Sequence, residues 1–417
     1  MQYTITPPNH IDSTINLPPS KSISNRALII HALAGGKIAP SNLSHCDDTE
    51  VIIKALKDKP ETIDLMAAGT AMRFMTAYLS VTEGEHMLTG TERLRQRPIG
   101  ILVEALRFLG AEIDYLGEEG YPPLRIRGKC LEGGQLEIVG NVSSQYISAL
   151  LMIGPTLKNG LELKLIGDIV SRPYIDLTIH LMQEYGAEVE WTDVDTIKVG
   201  AKPYIEREYV IENDWTSAGY WYEILTLMDD TDSQITFSGL QNGSRQGDSA
   251  VKYIFSLLGI KTTFAHKDLD KLTDVSIKRY PRTLPRFEYN LTNQPDLAQT
   301  LIALCPVMNI HFRFTGLHNL KIKETDRIEA MKNEMAKLGY VINDINDSEM
   351  VWDGERCEKT EPVVIDTYKD HRIAMAFAPL CIQLGEIKIN HPEVVTKSYP
   401  HYWDELEKAG FNIVKQQ

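Results

Sequence analysis

No two cysteines of this 417-residue chain stand at Cys-x-x-Cys spacing. The five present, Cys46, Cys130, Cys305, Cys357 and Cys381, are odd in number and scattered. That argues against a disulfide framework and against a zinc site, and makes them reduced, mostly structural thiols. No Gly-x-x-x-x-Gly-Lys-Ser/Thr and no Gly-x-Gly-x-x-Gly occurs, so neither a P-loop kinase nor a dinucleotide enzyme is supported. No uncharged apolar run reaches the length of a membrane span, and the first residues, Met-Gln-Tyr-Thr-Ile-Thr-Pro-Pro, lack a basic region followed by an apolar core. A soluble, cytoplasmic protein is expected. Positive charge is in deficit, with a net charge of −14. A polyanion is repelled at long range, which excludes nucleic acid and an acidic membrane surface as main partners; an anionic substrate must be held by cations placed locally.

Enough is present for two cores. At 417 residues and 43% hydrophobic content, two domains of about 200 residues each are expected. Internal repetition sets their architecture. Six segments open with small or hydroxylated residues and run into an apolar helix: 20–33, 69–79, 143–153, 215–227, 295–307 and 370–381. Six amphipathic segments alternate with them, at 47–57, 98–113, 173–189, 247–264, 324–342 and 400–414, several ending in Leu-Gly or Tyr-Gly. Short β-branched or alternating runs at 136–139, 161–166, 196–199, 235–237 and 387–389 supply strands. The pattern predicts an α/β protein whose unit is strand, helix, strand, helix, strand, repeated about three times in each half.

Charge stands at the wrong end of several of these helices. The macrodipole favours acids in the first turn, yet Lys21 and Arg26 flank one start, Arg73 follows Gly69-Thr70, Lys323 and Arg327 occupy first turns, and His371-Arg372 opens another. An anion seated between amide donors and side chain resolves that conflict. Ser22 and Arg26 lie at i and i+4 on one face, so both can touch one oxyanion. Ser143-Ser144-Gln145 offers two hydroxyls and an amide at a helix start, suited to a phosphate and its neighbouring hydroxyl. Lys323-Glu324-Thr325-Asp326-Arg327 is the most specific string, because a helix starting there puts Lys323 and Arg327 on one face with Glu324 about 100° away. Asp296 is open to two readings, helix cap or site residue, as is Lys397, loop lysine or ligand.

With these pieces in order the chain resembles the 3-phosphoshikimate 1-carboxyvinyltransferases (EPSP synthases) of the enolpyruvyl transferase family. The resemblance runs from Leu17-Pro18-Pro19-Ser20-Lys21-Ser22-Ile23-Ser24-Asn25-Arg26 to Lys397-Ser398-Tyr399-Pro400. Between them come Ala68-Gly69-Thr70-Ala71-Met72-Arg73, Arg97-Pro98-Ile99-Gly100, Ser143-Ser144-Gln145, Ser171-Arg172-Pro173-Tyr174, Gln246-Gly247-Asp248, Pro295-Asp296, and Asp370-His371-Arg372. It implies two inside-out α/β domains of three repeats each, closing over an interdomain cleft, with boundaries at 20–212 for one and 1–19 plus 213–417 for the other. By the same resemblance, shikimate 3-phosphate is held by Lys21, Ser22, Arg26, Ser143, Ser144, Gln145, Ser171, Tyr174, Asp296, Asn319 and Lys323. Phosphoenolpyruvate meets Lys21, Gly69, Arg97, Gln145, Arg327, His371, Arg372 and Lys397. Asp296, Lys323 and Glu324 are the expected catalytic groups, with no metal and no cofactor, in a monomer.

Three departures mark this chain. Ala67 stands where the family usually has asparagine, and Phe74 replaces a usual proline or leucine, while retention of Gly69 favours sensitivity to the inhibitor glyphosate. Only eighteen residues separate Asp48 from Ala67, so the first repeat is expected to lack strands. The nearest alternative is the transferase that uses UDP-N-acetylglucosamine, which places a cysteine in the loop before its Arg-Pro; residues 91–96 here have none. A noncatalytic phosphosugar-binding protein on the same scaffold is expected to lose Asp296, Lys323 or Glu324, and all three remain.

Overall fold

Five four-stranded sheets recur with one pairing pattern in the computed structural model, which describes residues 1–141, 143–280 and 284–416. The sheet Arg286–Asn290, His311–Thr315, Glu349–Trp352, Asn343–Ile345 shows it plainly. Its first two strands are parallel, and the remaining neighbours antiparallel. Helix Ala298–Val307 joins the first strand to the second, and Arg327–Lys337 joins the second to Asn343–Ile345. The last two strands form a hairpin through Asn346 and Asp347, both left-handed with φ of 54° and 56°, which asparagine and aspartate tolerate. The closing element is thus a pair of strands where the hydrophobic pattern predicts one, because strands of three or four residues are too short to display alternation.

Contacts divide the chain into Met1–Pro18 with Glu212–Gln417, and Pro19–Ile211. In the first unit, strand Gln2–Thr6 lies between Ile387–Asn390 and Asn412–Gln416, antiparallel to both. Strand Asp12–Ile15 pairs in parallel with Gln234–Gln241, which follows helix Trp215–Leu227. The Pro19–Ile211 unit is therefore inserted between a strand and a helix of one repeat. It has two sheets among the described residues rather than three. Its remaining repeat, helices Lys21–Leu33 and Asp47–Asp58, keeps a single parallel bridge from Ser41 to Val210. Only residues 59–61 separate Asp58 from strand Thr62–Asp64, which leaves no room for the hairpin. The shortened stretch after Asp48 lacks its strands.

The apolar helices carry each core. Trp215–Leu227, Ala298–Val307 and His371–Phe377 are buried almost throughout, as are Gly69–Val81 and Ser144–Ile153 in the other unit. A helix apolar all round belongs inside; the amphipathic Arg327–Lys337 and Asp47–Asp58 show one face outward. The segment expected to be helical over 370–381 leaves the α conformation at Phe377, passes through the 3-10 turn Ala378–Leu380 and resumes at Cys381. Pro379 lacks the amide hydrogen that would continue the ladder.

Glu223 is fully buried, and neither of its carboxyl oxygens has a hydrogen-bond partner among the described residues. Burial holds its pKa well above the ordinary carboxyl value. The folded state keeps a proton that the unfolded chain releases, so this group makes stability fall as pH rises above about 4.5, the ordinary glutamate range. Glu223→Gln is expected to raise Tm by a few degrees at pH 8 and hardly at all near pH 4. An increment equal at both pH values, in thermal melts, would show that Glu223 does not titrate.

Candidate active site

In the unit Met1–Pro18 with Glu212–Gln417, several helix starts meet through charged side chains. Arg327, first residue of Arg327–Lys337, is 1% exposed and at the centre. Its Nε donates to Asp370 Oδ2 at 2.7 Å, Nη1 to Asp296 Oδ1 at 3.2 Å and Nη2 to Glu324 Oε2 at 2.9 Å. Burial acts to lower its pKa, but Asp370, Glu324 and Asp296 outweigh that and hold it above the ordinary value. Arg372 Nη2 donates to Asp296 Oδ2 at 2.7 Å and Nη1 to the Tyr220 hydroxyl at 3.2 Å. Two guanidinium groups therefore bracket one carboxylate. Lys397, nine-tenths buried, places Nζ 3.4 Å from Glu324 Oε1. Behind them, buried Asp248 accepts the Thr216 hydroxyl at 2.5 Å. Burial and the nearby Asp296 push its pKa up to about 7.

Pro19–Ile211 gathers its own helix starts around cations. Arg26 is buried and ties three helices together: Nε donates to Thr178 Oγ1 at 2.7 Å, Nη2 to Ser148 Oγ at 3.2 Å, and Nη1 to the Ser22 carbonyl at 2.9 Å. It makes no ion pair among the described residues, and burial lowers its pKa to about 10. Arg73 Nη1 donates to Gln145 Oε1 at 2.8 Å and to the Gly69 carbonyl at 3.1 Å, while Gln145 Nε2 donates to Thr70 Oγ1 at 3.0 Å. Arg97 packs against Gly69 so closely that a Cβ there would lie 2.3 Å from its Nη1. Arg97 is buried, with no partner at Nε among the described residues. Ser143 Oγ caps Gln145 N–H at 3.3 Å, and Ser144 is buried beside it. Ser171 takes a left-handed backbone, φ 54°, at the start of Arg172–Glu184, which carries Tyr174. Lys21 Nζ lies 3.3 Å from Asp48 Oδ2.

The structure changes part of the sequence reading. Lys323 and Arg327 do not share a helical face: Lys323 ends the 3-10 turn His318–Ile322 that contains Asn319, and the helix begins only at Arg327. Asp326 is the reason, since its carboxylate caps the Glu329 N–H at 3.1 Å and so fixes the helix start. Asp296 does not cap its helix; the N-cap position is Gln294 and the carboxylate is taken by the arginines. Lys397 is no free loop lysine. His371 is 1% exposed, with Nδ1 3.7 Å from Asp370 Oδ1. Asp48, Tyr220, Asp248 and Asp370 join these clusters although the sequence does not single them out as site groups. Asp248 and Asp370 were visible as members of Gln246-Gly247-Asp248 and Asp370-His371-Arg372, but Asp48 and Tyr220 carried no local signal.

A sequence profile described as EPSP synthase (3-phosphoshikimate 1-carboxyvinyltransferase) matches residues 5–59 and 57–406. The chain belongs to the EPSP synthase family. It is 55% identical over 413 residues to a 3-phosphoshikimate 1-carboxyvinyltransferase of Bacteroides fragilis, covering 99% of each chain. A relative of the same name from Shewanella halifaxensis is 34% identical over 433 residues, covering 97% of this chain and 98% of the other. Among solved structures, an EPSP synthase from Acinetobacter baumannii has the same fold, with a TM-score of 0.78 at 21% identity over 99% of this chain and 100% of that one. Within this EPSP synthase family member, Phe74 is fully buried with the Arg26 guanidinium 5.3 Å from its ring centroid. The residue that departs from the usual proline or leucine thus gives a buried cation an aromatic face.

Asp370 is fully buried, accepts two bonds from Arg327 and caps the Arg372 N–H at 3.0 Å. Asp370→Ala is expected to destabilise the protein by about 3 kcal/mol or more, because it strands a buried guanidinium and removes a cap. Urea unfolding checks this; a loss below about 1 kcal/mol would mean that the other carboxylates suffice for Arg327.

Proposed function

We propose that this chain transfers the 1-carboxyvinyl group of phosphoenolpyruvate to the 5-hydroxyl of shikimate 3-phosphate and releases phosphate. The observation that carries the reading is Asp296 held by Arg327 and Arg372, with Glu324 beside them on Arg327 and Lys397. An acid, a base and an anion clamp are then parts of one cluster. Membership of the family supports it. No helix among the described residues is long and apolar enough to cross a membrane, which suits two dissolved, highly charged substrates.

The reaction needs the 5-hydroxyl to lose its proton as its oxygen bonds to the central carbon of phosphoenolpyruvate, while the methylene carbon gains a proton. The tetrahedral adduct then loses phosphate from the central carbon and a proton from the new methyl group, which restores the double bond. Asp296 orients and deprotonates the hydroxyl, and its two arginine bonds fix the carboxylate plane. Lys323 assists it. Glu324 delivers the proton to the methylene carbon. Arg327 and Lys397 fix its carboxylate from two sides. Arg327, Arg372 and Lys397, with Arg97, Lys21 and Gln145, neutralise and orient phosphoenolpyruvate, and His371 packs behind Asp370. Lys21, Ser22, Arg26, Ser143, Ser144, Ser171, Tyr174 and Asn319 hold the phosphorylated ring.

The deciding experiment follows phosphate release from phosphoenolpyruvate with shikimate 3-phosphate in one reaction and UDP-N-acetylglucosamine in another. Release with shikimate 3-phosphate alone is expected; release only with the nucleotide sugar would assign the chain to the sister reaction. Asp296→Ala is expected to lower kcat by about 100-fold or more, the range of a lost general base, while changing the affinity for phosphoenolpyruvate far less. Survival of turnover would remove Asp296 from the mechanism. Gly69→Ala is expected to displace Arg97 and raise KM for phosphoenolpyruvate about tenfold, with a smaller change in kcat. A KM within about twofold of the parent value would mean that Arg97 yields without loss.

A further inference from the structure

The turn that presents Asp370 is held by a group remote from the arginine cluster. Tyr368 and Lys369 are both left-handed, with φ of 53° and 57°. That region is unfavourable for residues bearing a Cβ, and persists where surrounding contacts over-determine it. Here the contact is Glu334, fully buried on helix Arg327–Lys337. Its Oε1 accepts the Tyr368 hydroxyl at 2.7 Å and its Oε2 the Asp366 N–H at 3.1 Å. Lys337 Nζ lies 2.8 Å from the same carboxylate and 2.8 Å from Asp366 Oδ2.

Glu334 follows Arg327 by seven residues, which is two helical turns and about 10 Å along one face. The segment from Asp366 to Asp370 is therefore fastened to that face twice, by Asp366 and Tyr368 at Glu334 and by Asp370 at Arg327. Tyr368 is 36% exposed, so its ring is not there to fill the core; its hydroxyl makes the link. A buried carboxylate is costly unless its acceptors are satisfied, and those of Glu334 are satisfied by this turn and Lys337.

We propose that the Tyr368–Glu334 hydrogen bond positions the anion clamp: it fixes the left-handed turn whose next residue, Asp370, orients Arg327 directly and Arg372 through its helix cap. Tyr368 and Glu334 are positioning residues that touch neither substrate. The proposal rests on the functional reading given above, and Arg327 with Arg372 is the machinery it acts through.

The test is steady-state kinetics with phosphoenolpyruvate varied at saturating shikimate 3-phosphate, on the full chain, for Tyr368→Phe and for Tyr368→Phe combined with Lys369→Gly. Removing the hydroxyl is expected to lower kcat/KM for phosphoenolpyruvate about tenfold, the scale of a small misplacement of a binding group, at a temperature where melts show the protein fully folded. Glycine adopts φ near 57° without a tether, so Lys369→Gly is expected to recover most of the loss. A kcat/KM within about twofold of the parent value for Tyr368→Phe, or a loss that glycine leaves untouched, overturns the proposal. Protection from thermal unfolding by inorganic phosphate reads the arginine pair without turnover. It is expected to weaken in Tyr368→Phe and return with Lys369→Gly, and equal protection in all three proteins also overturns the proposal. Absence of turnover in the parent protein would instead count against the functional reading, leaving the phosphate measurement to judge the positioning role.

Discussion

A guanidinium with 1% exposure organises one half of this molecule. Arg327 cannot lose its proton, so its charge must be met inside the protein, and the acids that meet it come from two other helix starts and the turn before its own. Asp296, Glu324 and Asp370 are far apart in sequence but are fixed relative to one another by the fork of a single side chain. Replacing such a group by an apolar one of similar volume often costs a fold little. A cluster this charged is better understood as a seat for something that competes for the same cations, and phosphate or carboxylate oxygens do so with similar geometry.

The other unit solves the opposite problem. Arg26 and Arg97 are buried with no carboxylate partner among the described residues, and the first is held by hydroxyls, carbonyls and a ring face instead. Neutral acceptors support a buried cation without quenching its charge. Buried charge is compensated by acids in one unit and by neutral groups in the other.

Much of this was legible in the sequence because it recurs. Cations at the wrong ends of helices marked the side-chain clusters around Arg327 and Arg26, and the alternation of apolar and amphipathic segments gave the repeats. What was lost was lost for local reasons. The Lys323-to-Arg327 string has helical spacing, but Asp326 caps and so begins the helix late. The hairpins were too short to alternate. From its position alone Asp296 stayed open between cap and site residue, because sequence shows that it precedes a helix and does not show that two arginines from elsewhere claim its oxygens. Asp48 and Tyr220 act only through partners 27 and 152 residues away, a separation that no periodicity reveals.

The strand Gln2–Thr6, paired on one side with Ile387–Asn390 and on the other with Asn412–Gln416, bears on how the protein is made. Residues 2–6 find their strand neighbours only after residues 387–416 have been synthesised, whereas the inserted unit 19–211 has its own strand partners long before. Biosynthesis thus leaves the early strand waiting, with both of its edges unsatisfied, while nearly four hundred residues are added. Brevity and the threonines and glutamine that alternate along it keep that strand from being an adhesive edge in the interval. Strands Gln2–Thr6 and Asn412–Gln416 then act as a clasp, and the unit that contains Arg327 is completed after the one inserted in it.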